Sequence, residues 1–275
     1  MRLLPFAKVE SIQNDFVLLD LVRISEPVDL PALAIRMCAR RFGVGSDGLL
    51  TLEQVAGGGA LAVRMFNPDG TEDFCGNGLR CAAWYARERG LAAADFELLH
   101  GGRRIRAHVS PSGSVCTTIG RASFQPEDVP LASDRELFCE ELTVMGTSYQ
   151  ASALNTGSTH TILHVAKLPD DSEFQRVSAW LEHDPLFPQR TSVIWCVADD
   201  KHLSIRIWER GVGETMGCGT GSSAAVVAQA RKHGLSGVFE VRNPGGEVQV
   251  RLDSWDGELH VKSQAAIVYE GEFLV

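Results

Sequence analysis

The feature that most constrains this chain is a motif written twice. Asp69-Gly70-Thr71-Glu72-Asp73-Phe74-Cys75-Gly76-Asn77-Gly78 corresponds, residue for residue, to Val212-Gly213-Glu214-Thr215-Met216-Gly217-Cys218-Gly219-Thr220-Gly221. In each copy a strand-like stretch runs into a glycine-rich turn, then Cys-Gly-x-Gly, then a run of helix formers. A chain of 275 residues that carries such a unit twice predicts a duplication, with two related domains of the same internal order.

The flanking sequence supports that order. Residues 6–20 read as strand, polar turn at 11–15 and strand, and residues 31–41 as a helix. Strands at 49–55 and 61–66 are separated by the turn Gly57-Gly58-Gly59, and Asn67-Pro68-Asp69-Gly70 marks a tight turn. A helix follows from Gly76 to near Gly90, and residues 96–119 alternate as short strands, with Arg103, Arg104 and Arg106 on a solvated face. After Gly120 come strands around 142–144 and 154–165, a helix near 173–183 and strands at 192–197 and 203–208. The glycine-rich turn 211–221, a helix at 222–232 closed by Gly234, and strands at 238–241, 247–252 and 259–261 complete the second copy.

Composition excludes several classes. With 26 basic against 35 acidic residues, a net charge of −9 and a pI near 5.4, the chain lacks the basic surplus of a nucleic-acid binder. At 44% hydrophobic it holds enough apolar material for one or two cores, so disorder is excluded as its main state. No run approaches the ~18 apolar residues of a membrane span, and the stretch 1–6 is too short for a signal peptide, so no membrane partner and a cytoplasmic location are expected.

The cysteines are Cys38, Cys75, Cys81, Cys116, Cys139, Cys196 and Cys218: an odd count, without a Cys-x-x-Cys pair or a disulfide framework. Cys38, Cys116, Cys139 and Cys196 read as inert core thiols. No metal site is expected, because His160 and His164 lie in a Leu/Val-rich strand that separates them too far to share an ion.

Cys75 and Cys218 differ through their setting. A helix start carries unpaired amides and a partial positive charge, which stabilise a thiolate and pull a cysteine from about 8.5 toward neutrality. Glycines there let a ligand approach the backbone closely, and their N–H groups suit a carboxylate. Two such ends facing each other would grip one carboxylate with a sulfur on each side. One thiolate would take a Cα proton from one face while the other thiol delivers a proton to the opposite face. The alternative is two inert cysteines among small residues that pack a helix tightly on a sheet; the repeat favours catalysis.

The ordered blocks around both cysteines resemble the diaminopimelate epimerases, cofactor-independent two-cysteine amino-acid epimerases. They are Met65-Phe66-Asn67-Pro68-Asp69-Gly70-Thr71-Glu72 leading to Cys75-Gly76-Asn77-Gly78-Leu79-Arg80-Cys81, and Trp208-Glu209-Arg210-Gly211-Val212-Gly213-Glu214-Thr215 leading to Cys218-Gly219-Thr220-Gly221. Gln13-Asn14-Asp15-Phe16 and Arg41-Phe42-Gly43-Val44-Gly45-Ser46-Asp47-Gly48 resemble two further family motifs. The resemblance implies an α/β (α+β) fold of two pseudo-symmetric domains, each a curved, mainly antiparallel sheet wrapped around a central helix, with the active site in the interdomain cleft. One domain would span 1–118 plus 264–275 and carry Cys75; the other would span 119–263 and carry Cys218. By the same resemblance Cys75 and Cys218 are the acid/base pair, assisted by His160 and Glu209. Gly76, Asn77, Gly219 and Thr220 hold the α-carboxylate through backbone amides, and Asn14, Asn67 and Arg210 contact substrate. No cofactor is implied; the partner is a small amino acid; family members are often dimers, which leaves a homodimer open.

Two positions depart from the family pattern. Gly157-Ser158-Thr159-His160 stands where the family usually has Gly-Asn-Pro-His, and Thr191-Ser192-Val193 where it has Thr-Asn-Val. In the family both asparagines hydrogen-bond the distal, unreacting end of the substrate. The reacting end is therefore intact while the specificity end is changed. LL-diaminopimelate is the leading substrate, and a racemase of another L-amino acid, such as histidine in metallophore biosynthesis, is the alternative. A pyridoxal-phosphate racemase would need a Schiff-base lysine, and Lys8, Lys167, Lys201, Lys232 and Lys262 have no phosphate-binding context. From another class, a non-catalytic binding protein of the same fold also fits the sequence.

Overall fold

The computed structural model describes residues 2–24, 26–55 and 59–275, so Gly57 and Gly58 of the expected triglycine turn lie outside the described residues. The chain divides into two compact units, Met1–Thr118 with Lys262–Val275, and Ile119–Val261.

In the first unit β1 (Leu3–Ser11) and β2 (Asn14–Asp20) form a hairpin, and α1 (Leu30–Cys38) crosses to β3 (Gly48–Gln54), parallel to β2. β4 (Ala60–Phe66) returns antiparallel to β3, the short β5 (Glu72–Asp73) folds back on β4, and α2 (Gly76–Glu88) follows. β6 (Asp95–His100) then lies parallel to β4 and continues antiparallel through β7 (Arg103–Val109) and β8 (Ser114–Gly120).

The second unit repeats this order. β9 (Phe138–Val144) pairs with β10 (Thr147–Asn155), which forms a hairpin with β11 (Thr159–His164); α3 (Asp171–Glu182) crosses to β12 (Ser192–Asp199), parallel to β11. β13 (His202–Glu209), β14 (Gly213–Thr215), α4 (Gly219–His233), β15 (Gly237–Asn243) and β16 (Gly246–Leu252) follow with the pairings of their counterparts. β17 (Leu259–Gln264) leads to β18 (Ala266–Leu274), which joins the first unit antiparallel to β1, Leu274 opposite Leu3. The fold is mixed α/β, dominated by mostly antiparallel sheet with few helices.

Each sheet wraps a central helix, and that explains the helix sequences. Every residue of α4 from Gly219 through Ala230 is buried, packed against β10, β11, β12, β13, β15 and β16. A helix enclosed on most sides shows no amphipathic stripe and is built of small residues, here Gly, Ser, Thr, Ala and Val with one Gln. α2 is buried from Gly76 through Ala83 in the same way, against β1, β2, β3, β4, β7 and β18.

The structure corrects several expectations. Residues 154–165 are not one strand: Thr156-Gly157-Ser158 turns between β10 and β11, with Gly157 at φ +104° and its N–H donated to Asn155 Oδ1 at 2.7 Å. The turn after β1 needs only Ile12 and Gln13, both at left-handed φ. α1 stops at Cys38 because Ala39 turns extended (ψ 113°). α4 begins at Gly219, since burial and not apolarity sets its start. Cys116 and Cys139 are half-buried rather than core residues. The motif alignment also slips by one. β4–β5 pairs Phe66 with Glu72 and β13–β14 pairs Trp208 with Glu214, so the counterpart of Glu72 is Glu214, and the second copy holds one extra residue before its cysteine. Matching ion pairs fix that register: Arg64 Nε and Nη2 donate to Glu72 at 2.8 and 2.7 Å, and Arg206 Nε and Nη2 to Glu214 at 2.7 and 3.2 Å.

The third glycine of each motif is a packing requirement. A Cβ on Gly78 would lie 2.7 Å from Leu50 Cδ2, and one on Gly221 would lie 2.9 Å from Ile194 Cδ1; both neighbours are fully buried. Leu50 and Ile194 hold equivalent places on β3 and β12, so one constraint is met twice. Gly78→Ala and Gly221→Ala are each expected to destabilise by about 1–3 kcal/mol through overpacking. Urea unfolding of each variant checks this: a midpoint unchanged from the parent protein contradicts it.

Candidate active site

Each cysteine is the N-cap of its unit's central helix, in nearly the same backbone conformation: Cys75 at φ −138°, ψ 110° and Cys218 at φ −136°, ψ 113°. An N-cap side chain accepts from a first-turn amide. Here Cys75 Sγ accepts the Gly78 N–H at 3.4 Å, and Cys218 Sγ accepts the Gly221 N–H at 3.3 Å. Sulfur is a weak acceptor, so the arrangement keeps each thiol at the positive end of a helix without tying it up strongly.

The cysteine amides are also held alike. Cys75 N–H donates to His100 Nε2 at 3.2 Å, and Cys218 N–H to Asn243 Oδ1 at 3.5 Å, from the last residues of β6 and β15. His100 can accept because its other nitrogen, Nδ1, donates to Val63 O at 2.8 Å. Burial lowers the His100 pKa and keeps that neutral tautomer.

In the first unit the structure brings Asn14, Asn77 and Cys75 together. Asn77 Nδ2 donates to Asn14 Oδ1 at 3.1 Å, and Cys75 Sγ lies 3.9 Å from that same oxygen. Asn14 Nδ2 donates to Asp47 Oδ2 at 2.7 Å. Asp47 pairs with Arg40 at 2.6 Å, and Asp15 pairs with Arg40 at 3.2 Å and with the buried Lys8. Desolvation raises the Asp15 carboxyl, but the hydrogen bond and charge of Lys8, the hydrogen bond with Asp47 and the charge of Arg40 together hold it below the usual range. Gly76 is buried at the first helical position. Asn67 is placed on the turn after β4, where its Nδ2 donates to Thr71 Oγ1 at 3.0 Å.

In the second unit His160 and Ser192 are register partners on the parallel strands β11 and β12. Ser192 Oγ accepts the Arg210 N–H at 3.1 Å, and the Arg210 guanidinium donates to Gln189 O at 2.9 Å. Thr215 Oγ1 donates to Glu209 Oε1 at 2.6 Å, so Glu209, which answers Asn67 in the strand register, is also held by a threonine, though from a different position. Thr220 Oγ1 lies 3.2 Å from Cys218 Sγ, and Thr220 O accepts from Thr156 Oγ1 at 2.9 Å. Gly219 is buried at the first position of α4, and Ser158 is half-buried in the turn before β11. His160 is 1% exposed, and neither ring nitrogen has a hydrogen-bond partner among the described residues. Desolvation, reinforced by the Arg210 cation, pushes its pKa down to about 3, so the ring is neutral.

Sequence reasoning assigned no role to several supporting residues. Asp47 and Arg80 fall inside quoted motif blocks but carried no individual signal. His100, Asn243 and Glu182 had none. Glu182, buried on α3, accepts from Gly211 N–H at 2.8 Å and Trp208 Nε1 at 2.7 Å, and so fixes the turn after β13.

Each unit thus sets a cysteine at the N-cap of a buried central helix within a wrapped sheet. The fold matches a hydroxyproline epimerase from Agrobacterium vitis solved with bound trans-4-hydroxy-L-proline, with a TM-score of 0.71 at 13% identity over 98% of this chain and 92% of that one. It also matches a phenazine biosynthesis protein of the PhzF family from Bacillus anthracis, with a TM-score of 0.69 at 16% identity over the whole of both chains. The diaminopimelate epimerase family model matches residues 6–124 and 152–269. Among relatives, diaminopimelate epimerases of Moorella thermoacetica and Ectopseudomonas mendocina are each 35% identical over 279 residues, covering 98% of this chain and 98% and 99% of theirs. The chain belongs to the diaminopimelate epimerase family, and it is an isomerase of the amino-acid racemase and epimerase type.

The buried histidines generate a pH dependence. In the folded chain His160 titrates at about 3 and His164, which is desolvated and bonded to Ser152 Oγ at 2.9 Å, at about 4; both return to about 6.5 on unfolding. Below 6.5 the unfolded state therefore binds more protons, so stability is complete above that pH and falls as pH drops toward 4. His164→Gln is expected to flatten that fall, measured as urea midpoints between pH 7 and pH 4. An unchanged slope contradicts the assignment.

Proposed function

We propose that the protein interconverts the configurations at Cα of an amino acid without a cofactor, with Cys75 and Cys218 as a thiolate/thiol pair whose roles exchange with direction. The observation that carries this reading is the recurrence of one N-cap geometry at both cysteines, each at the positive start of a buried helix. In the proposed reaction the thiolate removes the α-proton on one face and the opposing thiol delivers one to the other face. An α-proton is weakly acidic, so charge developing at Cα and the carboxylate needs donors already in place. The first-turn amides of Gly76 and Asn77, and of Gly219 and Thr220, suit that role because helix geometry gives them no carbonyl four residues back. Neutral His160 and Glu209 assist proton movement at the cysteines, and Asn14, Asn67 and Arg210 contact substrate.

The leading substrate is LL-diaminopimelate, epimerised to meso-diaminopimelate in the cytoplasm. A specific observation favours a second reading, another L-amino acid. Ser192, in a position where the family usually has an asparagine for the distal amino-acid group, already uses its hydroxyl to accept the Arg210 N–H. Ser158 likewise replaces an amide with a shorter side chain, and each lost contact to a charged group would weaken binding by roughly 1–3 kcal/mol.

Both parts are tested by Cα proton exchange in deuterated solvent with diaminopimelate, histidine, lysine, ornithine and glutamate side by side. Exchange in diaminopimelate above the others supports the first reading, and exchange chiefly in another amino acid supports the second. No exchange in any of them identifies a binding protein on an enzyme fold. Cys75→Ala and Cys218→Ala are each expected to abolish racemisation, and full activity in either one sinks the two-base mechanism.

A further inference from the structure

The first unit buries a complete arginine side chain directly beneath its cysteine-bearing helix start. Arg80 is 0% exposed, and its guanidinium lies under the first turn of α2, with Nη1 3.7 Å from where a Cβ on Gly76 would be. A cation near a helix N-terminus opposes the helix dipole and is disfavoured there on stability grounds. Its hydrogen bonds show what it does. Nε donates to Ser263 Oγ at 2.7 Å, and Ser263 is held in turn by Ser11 Oγ at 2.9 Å, whose own proton goes to Gln264 O. Nη2 donates to Asn77 Oδ1.

That last bond sets a direction. A guanidinium only donates, so Asn77 must present its oxygen to Arg80 and its NH2 to Asn14. At the other end Asp47 as a carboxylate only accepts, so Asn14 must present its NH2 to Asp47 and its oxygen toward Asn77 and Cys75. Two amides that can each flip are thus locked between a cation and an anion. We propose that Arg80 is a positioning residue: with Asp47 it fixes the polarity of the Asn77–Asn14 relay so that a carbonyl oxygen, not an NH2, faces the Cys75 thiol. An acceptor there favours the S–H form and directs its proton, whereas a reversed Asn14 would offer a donor and favour the thiolate.

The inference rests on the acid/base reading of Cys75, so the test includes a readout that needs no substrate. Ser263→Ala removes the hydroxyl that holds Nε, and Asp47→Asn removes the acceptor-only terminus. Each is expected to accelerate iodoacetamide alkylation of Cys75 about threefold or more, because thiolate is the nucleophile. Cys218, scored in the same mass-spectrometric digest, should stay within about twofold. In the Cα exchange assay Arg80→Gln is expected to lose about tenfold or more in kcat with KM within about threefold, and Arg80→Lys, which still only donates, to regain most of it. The Arg80→Gln, Asp47→Asn double variant should lose little more than the worse single variant, since either change releases the same relay.

Multiplying losses in the double variant, or an unchanged Cys75 alkylation rate in both Ser263→Ala and Asp47→Asn, overturns the proposal. If Arg80→Gln does not fold, the alkylation pair decides alone. Accelerated alkylation of Cys75 with no Cα exchange in any amino acid would uphold the relay and reject the epimerase reading instead.

Discussion

Both sites depend on one constraint, which is how a helix that starts inside a protein satisfies its first amides. In water the orphan N–H groups are solvated; inside a wrapped sheet they need acceptors. This chain supplies, at each of α2 and α4, a thiol sulfur for the third amide and a strand-end side chain for the cysteine's own amide. The first two helical amides lie at the helix mouth, where helix geometry provides no carbonyl four residues back. The third glycine of each motif lets β3 and β12 press against the helix, where a Cβ on Gly78 would strike Leu50 and one on Gly221 would strike Ile194. Packing thus demands glycine two positions past the first residue of each helix.

How much of this was legible follows from range along the chain. The cysteine, its glycines and the helix after them are local and contiguous, so the motif announced them. Element types were legible wherever period and turn chemistry agreed. The boundaries failed where tertiary contact decides them, as at the start of α4, whose Gly219, Thr220 and Gly221 are helical because the sheet encloses them. The one-residue slip in the repeat was invisible because the glycines aligned well without a gap; only strand pairing shows that Glu214 answers Glu72. His100 and Asn243 reach the cysteines from sequence distances of 25 residues in both units, along strands whose pattern reads as ordinary sheet. The burial of His160 depends on β11 being an interior strand between β10 and β12, which composition around it does not reveal.

The two units keep the scaffold and diverge in what it carries. The hairpin clamp Arg64–Glu72 recurs as Arg206–Glu214, yet an exposed pair such as Arg64–Glu72 is worth only about 0–1 kcal/mol. Their repetition is better explained by register, since each fixes the turn that leads into a cysteine. The side chains around the two cysteines differ more. Asn67 is answered by Glu209, and His100 by Asn243. The first unit surrounds Asn14 with formal charges, from Lys8 and Asp15 through Arg40 to Asp47, with Arg80 at the far end. The second sets neutral groups, His160, Ser192 and the Thr220 hydroxyl, beside the Arg210 cation and Glu209.

This divergence bears on how a duplicated site comes to handle an asymmetric task. A charged network holds its dipoles in one orientation, because reversing an amide between a cation and an anion costs two charge-assisted bonds. A hydroxyl can rotate between donor and acceptor at little cost. The Thr220 oxygen beside Cys218 therefore follows the protonation state of that sulfur, donating to a thiolate and accepting from a thiol. The Asn14 oxygen beside Cys75 does not follow, because Arg80 and Asp47 hold it. One unit imposes a hydrogen-bond polarity on its cysteine, and the other adapts to whichever form its cysteine takes.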